Sequence, residues 1–186
     1  MNHAGENVPI EWRCRLHSQI GFLFREENMT YVKEYSMTND ELIGKFGRLV
    51  DTSERIERVW DYTHPLNWWQ LSQNVMHHAF IVFKTKSWWW SIEKNNANIT
   101  VQRSKSEKSV RVKCCGQKRQ VGLTTGITVK NKCKGEKTVA ELIRHIHEQD
   151  YLNQDYDLVF YNCQSFAARI YEFLTGEFDL LQEYNR

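Results

Sequence analysis

An α+β unit, with an antiparallel β-sheet packed against helices, follows from three features of this 186-residue sequence. Short β-prone runs separated by polar residues crowd its middle, two amphipathic helical stripes with capping signals lie near its end, and its composition suits a buried core. The 41% hydrophobic and 13% aromatic content, with only two prolines, excludes a disordered or collagen-like chain. The apolar runs, 79–83 and 88–90 among them, fall far short of the roughly 20 residues that span a bilayer. Residues 1–12 contain Glu6, Pro9 and Glu11 and no apolar core of a secretory leader, so the expected setting is cytoplasmic.

No repeat or Pro-rich linker divides the chain. Its expected organisation is an N-terminal extension over 1–74, a principal domain over 75–176 and a tail over 177–186. In the extension, residues 20–24 and 31–35 flank the polar Glu26, Glu27 and Asn28 and predict a hairpin. Leu42, Ile43, Phe46, Leu49 and Val50 then fall at helical spacing after Thr38, Asn39 and Asp40. Ile56, Val59 and Trp60 repeat that spacing after Thr52 and Ser53, which predicts a second short helix.

Beyond residue 74 strands are predicted at 78–83 and 88–94, joined by the polar stretch 84–87. Further strands are expected at 99–103, at 110–114, where Val110, Val112 and Cys114 alternate, and at 125–130. Thr138 and Glu141 form a capping box ahead of the stripe Val139, Leu142, Ile143 and Ile146, predicting a helix over 138–148. A last helix opens at Cys163, with Asn162 as its N-cap, Gly176 as its stop, and Cys163, Phe166, Ala167, Ile170 and Leu174 along one stripe.

Charge is distributed unevenly. Residues 84–137 hold 14 Lys and Arg against 3 Asp and Glu, while the whole chain is nearly neutral at +2. Such a segment either serves an anionic partner, a membrane surface of acidic lipids for instance, or is a set of solvated strand faces. No nucleic-acid motif accompanies it. The five cysteines are odd in number and lack C-x-x-C spacing, and His145 and His147 stand two apart on a helix, so no metal site and no cofactor is expected.

Cys163 is the residue on which chemistry can be built. A thiol in the first turn of a helix meets the positive end of the helix dipole, which favours the thiolate. A nucleophilic thiol also needs an imidazole and a polar group to orient it. His78, near the start of a predicted strand, supplies the first, and Glu93 or Ser91 on the next strand supplies the second. Alternation gives His78, Phe80 and Val82 one face of their strand and Trp89, Ser91 and Glu93 one face of the next, which allows contact across the pair. The plain alternative is a small buried thiol and a satisfied strand histidine.

The succession HHAFIVF, WWWSIEK and, about 70 residues on, NCQSFA resembles the H-box and NC-motif proteins of the lecithin retinol acyltransferase-like group, including the H-rev107 phospholipase/acyltransferases. That group is a permuted branch of the NlpC/P60 papain-like superfamily. The resemblance covers about residues 75–175. It implies a circularly permuted papain-like fold, Cys163 as nucleophile, His78 as general base, Glu93 or else Ser91 as the third polar residue, and Asn162 as the residue before the nucleophile. Glu93 stands where a histidine is common in that group, and Gln164 and Ser165 follow the cysteine where Glu and His are usual.

The implied activity is acyl transfer or phospholipase-type hydrolysis of an acyl lipid through a cysteine thioester. Trp88 and Trp90, among the five tryptophans at 68, 69, 88, 89 and 90, suit an acyl groove or a bilayer interface as well as a core, and Gln164 sits beside the nucleophile, so these three are the expected substrate contacts. A thiol peptidase or amidase and a catalytically silent interaction module, as in some picornaviral H-box/NC proteins, are the two rival classes.

Overall fold

The computed structural model describes residues 19–24, 33–65, 77–96, 98–114, 117–119, 126–157 and 162–177. The chain runs β1 (Ile20–Phe24), β2 (Lys33–Met37), α1 (Asn39–Leu49), β3 (Ile56–Pro65), β4 (His77–Thr85), β5 (Trp89–Lys94) and β6 (Ile99–Ser104). It continues through α2 (Glu107–Val112), β7 (Lys113–Cys114), β8 (Gln117–Lys118), β9 (Thr128–Lys134), α3 (Val139–Glu148) and α4 (Cys163–Thr175). The α+β class is as expected.

Seven strands form one sheet in the order β2-β1-β6-β5-β4-β3-β9, and β7 and β8 pair separately. The sheet is mixed rather than purely antiparallel, because β1 lies parallel to β6, with Ile20 opposite Ile99 and Phe24 opposite Arg103. Turn residues and alternation reveal hairpins between neighbours in sequence, whereas β1 and β6, adjacent in the sheet, are far apart in the chain and no local signal records their direction. Strands β1, β2 and β3 thus stand in the same sheet as those after residue 76.

Strand β4 is the centre of the assembly because its run Ala79–Phe83 is apolar on both faces, and every residue of it is buried. One face packs Ile81, Phe83, Trp90 and Ile92 against α1, α3 and α4. The other carries a smaller cluster of Tyr62, Phe80, Val82 and Val110, the last contributed by α2. At the opposite extreme β9 is an edge strand whose Lys130, Lys132 and Lys134 discourage further pairing.

Two sequence expectations are corrected. Residues 56–60 begin strand β3, not a helix. A register shift between Ile56 and Arg58 inserts an extra residue, so Ile56 and Val59, three apart, both enter the same core and imitate a helical period. Residues 110–112 belong to helix α2, not to a strand. Glu107 and Arg111 pair at 2.9 Å across one turn, and Val110 alone is buried, so the alternation of valines there reflects no pleat. Strand β9 also lies a few residues later than expected, at 128–134. Among the described residues no helix is long and apolar enough to cross a membrane.

Candidate active site

The start of α4 is built by Asn162. Its side-chain oxygen accepts hydrogen bonds from the backbone N–H groups of Gln164 at 2.9 Å and Ser165 at 3.0 Å, while Ser165 Oγ accepts from Asn162 N at 3.1 Å. This double cap holds the first turn firmly, and Gly176, at φ 70°, ends the helix in the left-handed region that glycine adopts without strain. Cys163, the first helical residue, is 3% exposed.

The helix start meets a gap in the sheet. Pairing of β4 with β5 stops at Ile81 opposite Ile92, which leaves residues 77–80 of β4 without a β5 partner. Cys163 Sγ lies 3.9 Å from the carbonyl oxygen of His77, the N–H of Ala79 points to the same sulfur, and Gln164 Nε2 donates to the His77 carbonyl at 3.0 Å. The backbone of the histidine strand is therefore a docking edge for the cysteine helix.

His78 is the imidazole at that edge. Its Nε2 is 2.7 Å from Glu93 Oε2, and a hydrogen bond joins the same imidazole to the Cys163 side chain. Burial, the largest influence, favours neutral imidazole. The hydrogen bonds to Cys163 and Glu93 and the charges of both outweigh it and raise the pKa of His78 to about 9. Burial likewise pushes the Cys163 thiol up, but the bonds from His78 and the Ala79 N–H, the imidazolium charge and Tyr156 bring it below the ordinary thiol value. The thiol is lowered and the imidazole raised, and both directions favour a thiolate paired with an imidazolium.

Glu93 is 1% exposed, and a carboxylate so buried needs a cation. Arg119 supplies it, with Nη1 2.8 Å from Oε2 and Nη2 2.7 Å from Oε1. Burial alone would favour the protonated acid, but Arg119 and the hydrogen bond to His78 hold Glu93 far below the usual carboxylate range. Ser91 lies on the same face but accepts from Gln102 Nε2 at 2.9 Å, so of the two polar residues on β5 it is Glu93 that contacts His78.

The expected substrate contacts separate. Gln164 adjoins the nucleophile, as described. Trp90 is fully buried, stacked on Phe83 at 5.7 Å between centroids, with its Nε1 donating to Thr85 Oγ1 at 3.3 Å, and belongs to the core. Trp88 sits at the far end of the β4–β5 hairpin, between the Arg103 guanidinium at 4.2 Å and the Lys105 ammonium at 3.8 Å. Trp68 and Trp69 lie outside the described residues.

Two residues of the site escaped sequence reasoning. Arg119 was hidden in the basic segment, and its only signal is indirect: a glutamate inside an apolar strand demands a partner. Tyr156, half-buried, presents its hydroxyl both to the Cys163 sulfur and to the Cys163 backbone N–H. Nothing in the polar stretch 153–157 distinguishes it. Among the described residues no group of three or more His, Cys, Asp or Glu is placed to hold a metal ion. Comparison of the chain with family models, with curated proteins and with solved structures found no match.

Proposed function

We propose that this protein is a cysteine-dependent acyl-transfer enzyme whose strand and helix order is that of a circularly permuted papain-like fold. The observation that carries the reading is the continuous chain Cys163, His78, Glu93, in which the thiol and Glu93 each contact the same imidazole. The Cys163 thiolate adds to an acyl carbonyl, and His78 gives its proton to the departing oxygen or nitrogen as that bond breaks. The product is a Cys163 thioester. In the second half His78 takes a proton from water or an acceptor, whose oxygen or nitrogen attacks the thioester and releases the thiolate.

The developing oxyanion needs donors. Asn162 occupies the N–H groups of Gln164 and Ser165, which leaves the Cys163 N–H, released by the Tyr156 oxygen as the oxyanion forms, and the Tyr156 hydroxyl as the pair this site offers. The substrate class we favour is an acyl lipid presented at an anionic membrane surface. The resemblance to the lipid-acting group supports it, as do cations set over the tryptophans of the basic segment: Lys105 and Arg103 at Trp88, and Lys84 at Trp89, 5.6 Å from its centroid. The near-complete burial of Cys163 favours one rival, an interaction module in which the thiol is merely packed.

Mass spectrometry after incubation with phospholipid or an activated ester decides between them. The expected result is an acyl adduct on Cys163 that is absent from Cys163→Ala; no adduct on Cys163 from any donor overturns the proposal. The rate of acylation is expected to rise at a pH below that of an ordinary thiol and to fall as pH passes about 9, where His78 loses the proton that the leaving group needs. A rate that only follows ordinary thiol ionisation, with no upper fall, contradicts the pairing with His78.

A further inference from the structure

Glu93 Oε2 accepts from two cationic groups at once, His78 Nε2 at 2.7 Å and Arg119 Nη1 at 2.8 Å, while Oε1 accepts from Arg119 Nη2 at 2.7 Å. The guanidinium is 2% exposed. Its Nε donates to the Arg111 carbonyl at 3.0 Å and its Cζ lies 3.8 Å from the Phe80 ring centroid, while the backbone N–H of Arg119 donates to the Val112 carbonyl at 2.8 Å. A lysine, with one point charge on a flexible stem, could not make the fork and the backbone contact together.

We propose that Arg119 is a positioning residue of the active site: its guanidinium fixes and neutralises Glu93 and so completes the row Cys163, His78, Glu93 and Arg119. The inference rests on the reading of Cys163 and His78 as the working pair. A lone buried carboxylate beside His78 would bind the imidazolium proton too tightly for transfer and would oppose formation of the nearby thiolate. Arg119 removes that excess of negative charge while leaving Glu93 Oε2 in place to orient the ring. Among the described residues, beyond Glu93, Arg119 and Cys163, the groups facing His78 are Tyr156 through the sulfur, His64 from β3 at 5.3 Å between ring centroids, and the adjacent His77, so the sign of the effect is set by the nearest carboxylate and its partner.

The test measures two quantities in the full chain: iodoacetamide alkylation of Cys163 against pH, for the thiolate, and ring-proton NMR of His78. Arg119→Gln removes a positive charge, which favours the protonated form of both groups, and is expected to move both titrations upward by about one pH unit, roughly tenfold in thiolate fraction at a given pH. Glu93→Gln is expected to move both downward. The double variant Glu93→Gln with Arg119→Gln is expected to return toward the wild-type positions, and Arg119→Lys to stay near them with slower alkylation. If Arg119→Gln fails to fold with its unpaired carboxylate, the step from Glu93→Gln to the double variant isolates the same charge without that burden.

Titrations that do not move, or that move the same way for Glu93→Gln and Arg119→Gln, overturn the proposal. A wild-type thiol that ionises like a free cysteine overturns the pairing beneath it. Opposite shifts with no acyl adduct on Cys163 would leave the charge row standing and remove the acyl-transfer function.

Discussion

Helices α3 and α4 begin almost alike and differ in what they face. Each starts with a capping box, Thr138 with Glu141 in α3 and Asn162 with Ser165 in α4, and each turns an apolar stripe to the same core. In α3 the first helical residue is Val139, fully buried among hydrocarbon. In α4 it is Cys163, equally shut from solvent but set against an imidazole and the open backbone of β4. A second difference lies at the third helical position. Glu141 puts an acid in the first turn of α3, whereas the first turn of α4 contains none. A helix start is generic; the strand opposite and the lack of an acid in its first turn single out the start of α4 as the candidate site.

The sharpest way to break the comparison is to truncate the two first residues. Cys163→Ala is expected to abolish acyl adduct formation with little change in stability. Val139→Ala should leave adduct formation intact and cost roughly 1–2 kcal/mol for lost burial, read by denaturant melts. Equal stability losses and equal activity for both would make Cys163 another packed residue.

A smaller effect should appear at the caps. Asn162→Ala and Thr138→Ala are each expected to cost about 1 kcal/mol of stability. Only the first should also slow thiol alkylation, because it loosens the turn that presents the sulfur. Alkylation slowed equally by both would mean that the difference between the helices is global stability.

The smallest expected change comes from copying the acid of α3 into α4. Ser165→Glu keeps a capping box but places a carboxylate at the positive helix end beside the thiolate. At a helix terminus such a charge is worth about 0.3–1 kcal/mol, so the thiolate fraction near neutral pH should fall roughly two- to fivefold. Faster alkylation, or none of this loss, would show that the first turn of α4 does not influence the sulfur.

Much of this arrangement was readable before any coordinates. The caps of α3 and α4, the stripe that carries Cys163, the hairpin of β4 and β5 and the alternation that lets His78 and Glu93 meet depend on short stretches of neighbouring residues. The misread segments share a cause. In β3 a bulge produced a helix-like spacing, and in α2 a chance alternation of valines resembled a pleat. Trp90 looked like a ligand contact because aromatic residues serve cores and grooves alike, and only its contacts place it in the core.

Local pattern was enough to say that a thiol would open a helix and that an imidazole and a carboxylate on neighbouring strands could meet, because capping and alternation act over a few bonds. Three-dimensional packing alone decided that β1 runs parallel to β6, that β4 outruns β5 and so leaves backbone for Cys163, and that Arg119 and Tyr156 close around the site. Those contacts join residues far apart in the chain. Their energies come from burial and charge shared among several elements, and no single stretch of residues carries that information.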